Sequence, residues 1–319
     1  MLQRDAFIEE IEQRLEIDKD IYFLSADFGA AALDSLRKNY PKNFIHCGIS
    51  EQAMIDIATG LALEGKKVFC YAMAPFISLR AIEQIKCGPS MMDLPICIMS
   101  VGIGLGYADA GPTHYITEDL ACMRSIMNVN LYTLADSSSA RRLSNQLLDK
   151  PEFAYVRLDR HPQPELQPTA FPQDTCYRVI GDHVHDKVIV IGSGKMSHVV
   201  KKAFLTVENN ISESKCPRLI GVDLIRCKPF PKTLLHILRE AKGIIVIDEQ
   251  TPSGSLGAAV MEACAENDVL KKIRTITLPE GYVFENGGRD YLLNKLGLNE
   301  KNIIKIASTE FVKTEDFIF

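Results

Sequence analysis

Glu51 and His114 are the two side chains whose setting in the sequence best suits them to chemistry. Glu51 follows Phe44-Ile45-His46-Cys47-Gly48-Ile49-Ser50, where a short apolar strand gives way to a helix. Ala53, Met54, Ile57, Ala58, Leu61 and Ala62 recur at helical spacing, so one face of that helix is core and Glu51 lies in its first turn. The helix dipole favours a carboxylate there by roughly 0.3–1 kcal/mol. The position therefore suits a plain dipole partner as well as a functional carboxylate, and one short motif does not separate the two. His114 closes Gly111-Pro112-Thr113-His114, at the end of a glycine-rich loop that follows the apolar run Ile96–Val101. A histidine there is suited to meeting a substrate hydroxyl or moving a proton, or to bonding the backbone at a helix start.

Three further side chains share this kind of location. Asp27 follows the apolar run Ile21–Ser25. Phe76 ends Tyr71-Ala72-Met73-Ala74-Pro75-Phe76, where an aromatic is available to stack on a flat ring or to pack in the core. Arg160 stands beside His161 at the mouth of a proline-rich stretch, suited to an anionic substrate or to pinning the chain.

These residues need a scaffold that gathers strand ends, and the pattern of the chain supplies one. Short β-rich runs alternate with longer helical stretches, which predicts parallel sheets covered by helices, an α/β class with two doubly wound domains. In the first half, strands are predicted at Ile21–Ser25, Val68–Ala72, Ile96–Val101, Leu131–Leu134 and Phe153–Leu158. Helices are predicted at Asp5–Leu15, Glu51–Leu63, Ser78–Ile85, Ile116–Arg124 and Ser138–Leu148, the last with Asp136-Ser137-Ser138 as its N-cap. In such sheets ligands lie at the carboxyl ends of the strands, which is where the candidates fall. His161-Pro162-Gln163-Pro164-Glu165-Leu166-Gln167-Pro168, continuing to Pro172, reads as a stiff linker. Beyond it the alternation restarts with Val188–Ile191, Leu219–Val222, Ile244–Ile247 and Ile273–Thr277 as strands. The expected division is a first domain over 1–165, a linker over 166–185 and a smaller α/β domain over 186–319.

Composition narrows the function classes. The 319 residues are 46% hydrophobic and 24% charged, as in ordinary folded domains. A net charge of -5 with scattered basic residues argues against nucleic acid. The longest apolar stretch, Leu94 to Tyr107, is broken by Pro95 and glycines and falls short of the ~20 residues of a membrane helix. The start of the chain lacks the apolar core of a signal peptide. Nine cysteines occur singly, with no C-x-x-C pair, which fits a reduced, cytoplasmic protein. Two imitations of phosphate or metal motifs fail. Ile191-Gly192-Ser193-Gly194-Lys195 has the wrong spacing for a phosphate loop, with Met196 after the lysine. Gly181-Asp182-His183 with Asn209 and Asn210 lacks the second glycine of a diphosphate–metal motif.

As a set the motifs resemble the transketolase-like thiamine diphosphate enzymes, over the C-terminal half of a full-length transketolase. Ser25-Ala26-Asp27 is similar to the family's S-A-D strand end, and Gly48-Ile49-Ser50-Glu51-Gln52 to its G-I-[AS]-E-Q segment. Gly111-Pro112-Thr113-His114 with Glu118-Asp119 and Met123-Arg124 resembles its D-G-P-[ST]-H…E-D…M-R stretch. Asp248-Glu249-Gln250 with Gly254-Ser255-Leu256-Gly257 resembles the turn of its C-terminal domain. The resemblance implies a pyrimidine-binding domain followed by a transketolase C-terminal domain. It implies that Glu51 hydrogen-bonds N1′ of the cofactor's aminopyrimidine, which makes the 4′ nitrogen basic enough to take the C2 proton of the thiazolium. Phe76, Asp27 and Ile49 are its other implied cofactor contacts, and His114, Asp109 and Arg160 its implied substrate contacts.

The departures from the family pattern carry information too. Ala110 stands where the family usually has an aspartate before G-P-T-H, with Asp109 one place earlier. Gly102 stands where it usually has a phosphate-contacting histidine, and the spacing from Phe76 to Arg80 differs by one. These changes favour an altered sugar substrate from a specialised carbohydrate pathway. The family's G-D-G…N motif, which holds the diphosphate through Mg²⁺, is missing, so the resemblance implies an N-terminal partner subunit that carries it, in an α2β2 assembly. The leading expectation is one subunit of a split transketolase that moves a two-carbon ketol unit between sugars or sugar phosphates. The rivals are the β subunit of a 2-oxo acid dehydrogenase-type enzyme and a non-catalytic regulatory homologue.

Overall fold

The computed structural model describes residues 1–26, 29, 31–166, 176–182, 186–210 and 216–312. Most of the predicted linker and Asp27 lie outside these residues. The chain divides into two compact units, Met1–Glu165 and Leu166–Phe319.

The first unit runs α1 (Gln3–Leu15), β1 (Ile21–Ala26), α2 (Ala32–Asn39), β2 (Phe44–Gly48), α3 (Glu51–Leu63) and β3 (Lys67–Met73). It continues through α4 (Ile82–Ile85), β4 (Ile96–Val101), α5 (Asp119–Ser125), β5 (Asn130–Thr133), α6 (Ser137–Asp149) and β6 (Ala154–Leu158). Its six strands lie in the order β5-β6-β4-β3-β1-β2, and every pairing between them is parallel. A parallel sheet is covered on both faces, so its central strands are apolar along their length rather than alternating. Every residue of β4, Ile-Cys-Ile-Met-Ser-Val, is buried. The chain steps from β1 outward to β2, then crosses back over β1 to β3. That reversal opens a crevice at the carboxyl ends of β1 and β3, the usual ligand position in such sheets.

Local chemistry sets several helix ends. Asp136 accepts a bond from the Ser139 amide at 2.8 Å while Ser139 Oγ accepts one from the Asp136 amide at 3.3 Å, a capping box that starts α6. The helix predicted over Ser78–Ile85 takes another form. A π-helical turn covers Phe76–Arg80, α4 follows, and a second π-helical turn covers Lys86–Ser90. Ser78 Oγ donates back to the Ala74 carbonyl at 2.6 Å, a bond of the type that bends helices. The helix predicted over Ile116–Arg124 begins only at Asp119, because Ile116 is engaged in a bridge with Gly104, its amide donating to the Gly104 carbonyl at 3.1 Å.

The second unit holds β7 (Tyr177–Ile180), β8 (Val188–Gly192), α7 (Lys195–Glu208), β9 (Leu219–Leu224), β10 (Arg226–Lys228) and α8 (Lys232–Glu240). After these come β11 (Gly243–Ile247), α9 (Leu256–Glu266), β12 (Ile273–Ile276), α10 (Arg289–Lys295) and α11 (Glu300–Glu310). Its sheet has the order β12-β11-β8-β9-β7, parallel except for β7, which pairs antiparallel with β9. Residues 177–180 were expected in the linker; they form this edge strand instead. Four residues before a glycine carry too little periodicity to be recognised from sequence.

Both failed imitations have structural uses. Lys195 pairs with Asp290 at 2.9 Å. The Asp182 carbonyl accepts from Lys187, and Asn210 donates to the Thr206 carbonyl at 2.8 Å. Among the described residues no helix is long and apolar enough to cross a membrane.

Candidate active site

Glu51 is the first residue of α3 and is 3% exposed. Its carboxylate does not cap the helix. Arg80 Nη1 donates to Glu51 Oε2 at 2.5 Å, from the π-helical turn beyond β3. The same guanidinium lies over the Phe76 ring, 4.5 Å from its centroid. Phe76 in turn meets the His114 ring edge-to-face, with centroids 5.7 Å apart and planes at 73°. Thr113 Oγ1 and His114 Nδ1 share a hydrogen bond of 2.8 Å, which leaves Nε2 for an external partner. Glu51, Arg80, Phe76 and His114 thus form one continuous chain of contacts drawn from the ends of β2, β3 and β4.

The loop after β4 is fastened from below. Ile103 and Ile116 pack with Ala74 in a small buried cluster, which ties the loop to the end of β3. Beneath it, Arg157 makes a two-pronged, fully buried contact with Asp119, Nε to Oδ2 at 2.8 Å and Nη2 to Oδ1 at 3.0 Å. Tyr155 bridges this pair to Ser100 at the end of β4, at 3.3 Å and 2.7 Å. Bidentate geometry of this kind holds the first turn of α5 against the sheet.

A second group gathers around Arg160, two residues beyond β6. Arg160 Nη1 donates to Asp109 Oδ1 at 2.7 Å, and its guanidinium stacks on the Tyr107 ring at 4.3 Å. Tyr107 fills the space beside Gly102. A Cβ placed on Gly102 would lie 1.9 Å from the tyrosine's Cε2, and its φ of +88° is one only glycine adopts freely. The absence of a side chain at Gly102 therefore admits an aromatic ring. Burial raises the Tyr107 hydroxyl above its ordinary pKa, so at neutral pH the ring presents a neutral face to the guanidinium.

Of the residues expected from sequence, the structure joins Glu51, Phe76 and His114 in one cluster and Arg160 with Asp109 in another. Ile49 precedes α3 and is 76% exposed, so its side chain is left open to solvent. Arg80 and Tyr107 are the two members that sequence reasoning did not assign. The i, i+4 spacing of Phe76 and Arg80 was a readable signal for the first, and the glycine at 102 one for the second. In the second unit, Asp248 Oδ2 accepts from the Leu256 amide at 2.9 Å, and Glu249 is held in a buried pair with Arg289 at 2.7 Å. Those carboxylates build the turn before α9.

Residues 1–164 match the family profile of the transketolase pyrimidine-binding domain, and residues 179–303 that of the transketolase C-terminal domain. The chain belongs to the transketolase family. It is 30% identical to one of the subunits of the apulose-4-phosphate transketolase of Phocaeicola vulgatus, over 97% of each chain. It is 26% identical to the 6-deoxy-6-sulfo-D-fructose transketolase subunit SqwH of a Clostridium species, covering 95% of this chain and 92% of that one. Its fold is shared with a solved split-gene transketolase, described as an inactive beta4 tetramer, at a TM-score of 0.83 and 24% identity, with 98% and 99% of the two chains covered. Two α/β units with parallel sheets are the arrangement this family membership requires.

Proposed function

We propose that this chain is the C-terminal subunit of a split, thiamine diphosphate-dependent transketolase that transfers a two-carbon ketol unit between sugars. The observation that carries the reading is the buried Glu51 carboxylate linked through Arg80 to the Phe76 ring. A carboxyl group able to share a proton with a ring nitrogen, near an aromatic face, is what an aminopyrimidine needs, so the residues present fit the group. Bound there, thiamine diphosphate supplies the electron sink for breaking a ketose carbon–carbon bond. Glu51 would share a proton with the ring nitrogen N1′, and Phe76 would cover one face of the ring. His114 offers Nε2 to a substrate hydroxyl and holds or moves its proton. Arg160, stacked on Tyr107, takes the anionic end of the sugar. Names of relatives that specify a phosphate or sulfonate sugar support that last role.

The diphosphate and its Mg²⁺ are held by an N-terminal partner subunit carrying the G-D-G…N motif, in an α2β2 assembly. The relatives of similar length that are named as subunits support this. The nine free thiols suit a cytoplasmic protein.

The deciding experiment reconstitutes the chain with its partner and follows ketol transfer between sugar phosphates. Glu51→Ala is expected to lower the rate by roughly 10²–10⁴-fold, the range of acid–base contributions. Full transfer by that variant would reject the catalytic reading, and turnover with a lipoamide acceptor in place of a sugar would favour the 2-oxo acid dehydrogenase type.

A further inference from the structure

Arg80 already takes, on Glu51 and Phe76, the places of an aminopyrimidine that shares a proton at N1′. It is planar, donates an N–H to the Glu51 carboxylate, and lays a delocalised face over the Phe76 ring, at 2.5 Å and 4.5 Å respectively. Both features that would define the ring's position are thereby occupied by one side chain of the same protein. The Arg80 side chain is 38% exposed whereas that of Glu51 is 5% exposed, so the arginine reaches in from solvent to a carboxylate that cannot move out to meet it. Glu51 sits on the buried face of the first turn of α3 and Arg80 on a π-helical turn, a form that appears mostly as a single turn and frequently at functional sites.

We propose that Arg80 is a positioning residue that guards the cofactor ring's place. In the free chain it holds the Glu51 side chain in the orientation that the ring requires, and it swings toward solvent when the ring arrives. The inference rests on the assignment of Glu51 to the cofactor. A buried carboxylate left unpaired is costly, and a guard of this kind satisfies it until the ring replaces the guanidinium. Ring binding is then weakened by competition, because the ring displaces a charge-assisted hydrogen bond and a stacked cation before making its own. Phe76 and His114 take no part in the exchange beyond presenting their faces, since neither bonds the Glu51 carboxylate.

The whole chain is titrated calorimetrically with 4-amino-2,5-dimethylpyrimidine. Arg80→Ala is expected to bind the pyrimidine at least tenfold more tightly than the unsubstituted chain. Arg80→Gln, which keeps a donor without the charge, is expected between the two, and Arg80→Lys close to the original. A purely structural arginine would instead lower the melting temperature in Arg80→Ala and leave pyrimidine affinity unchanged or weaker. Pyrimidine binding no tighter in Arg80→Ala and Arg80→Gln than in the original chain, including none detected in any of them, overturns the proposal. The effect is also expected to vanish in a Glu51→Gln background, and its persistence there counts against the guard. The two readings fail separately. Retained ketol transfer in Glu51→Gln removes the assignment of Glu51. Lost transfer in Glu51→Gln with no gain in Arg80→Ala removes only the guard.

Discussion

Arg160 and Asp109 pose a problem of competition between a fixed partner and a substrate. Their 2.7 Å contact involves an Asp109 side chain that is 64% exposed, so solvent screens it and the pair adds little to stability. If Arg160 takes the anionic end of the sugar as proposed, that end shares or displaces this carboxylate. Arg160→Ala is therefore expected to raise KM for a phosphorylated acceptor roughly ten- to a hundredfold, the scale of one lost charge-assisted contact of roughly 1.5–3 kcal/mol, with kcat changed less. Asp109→Ala is expected to act in the opposite direction and lower KM for the same substrate. Steady-state kinetics of the reconstituted pair checks both, and equal KM in Asp109→Ala and the original protein would show that the carboxylate does not compete. Neither substitution should move the melting temperature by more than a degree or two.

The loop after β4 shows why elements, as well as residues, determine this site. Gly102→Ala places a methyl group where the Tyr107 ring lies and imposes an unfavourable φ. Overpacking of this kind costs typically 1–3 kcal/mol, and the expected outcome is a lower denaturation midpoint together with loss of the Arg160 effect on KM. Adding Tyr107→Ala should restore part of the stability, because the clash is removed while the strained φ stays. The elements themselves were largely legible in the sequence. β4 and α3 were found with their observed bounds because long apolar runs and 3.6-residue periodicity mark such elements, although Ala53 and Ile57 of the face of α3 expected in the core are exposed. α2 over Ala32–Asn39, β7 and the terminal helices α10 and α11 were not found, being short or weakly patterned. In the candidate site, Glu51, Phe76 and His114 were legible because each follows a strand. Arg80 and Tyr107 were not assigned: the i, i+4 spacing from Phe76 and the glycine at 102 point toward them, but their partners depend on which side chains the loops bring beside them.

At the scale of the whole molecule, the buried thiols make stability depend on alkaline pH. Burial pushes the Cys97 thiol well above its ordinary range, and Cys70 likewise. The folded protein holds those protons more tightly than the unfolded chain does. Their contribution is intact below the unfolded thiol pKa of about 8.5 and is lost as pH rises toward the folded values. Each thiol adds a slope of up to about 1.4 kcal/mol per pH unit in that window. Denaturant midpoints measured from pH 7 to 9.5 are expected to fall, and Cys70→Ala with Cys97→Ala should flatten the decline. The same burial predicts that exposed Cys87 reacts first with a thiol reagent, while Cys70 and Cys97 react only on unfolding. A second expectation at this scale concerns cofactor. Without its partner the chain should bind thiamine diphosphate and Mg²⁺ negligibly, and tight Mg²⁺-dependent binding by the chain alone would contradict the divided site.

The wide turn at Phe76–Arg80 has a consequence for how this protein tolerates change in length. A helix with more residues per turn stores slack, so one residue gained or lost there alters the winding locally and leaves β4 in register with β3. The sequence resemblance suggests a one-residue difference in the spacing from Phe76 to Arg80, and the wide turn is suited to absorb such a difference. Indel scanning along the chain should find this stretch more permissive for folding than α3 or β4, and far less permissive for cofactor binding. A segment with that profile lets an enzyme lineage retune the contents of its active site without rebuilding the sheet beneath it.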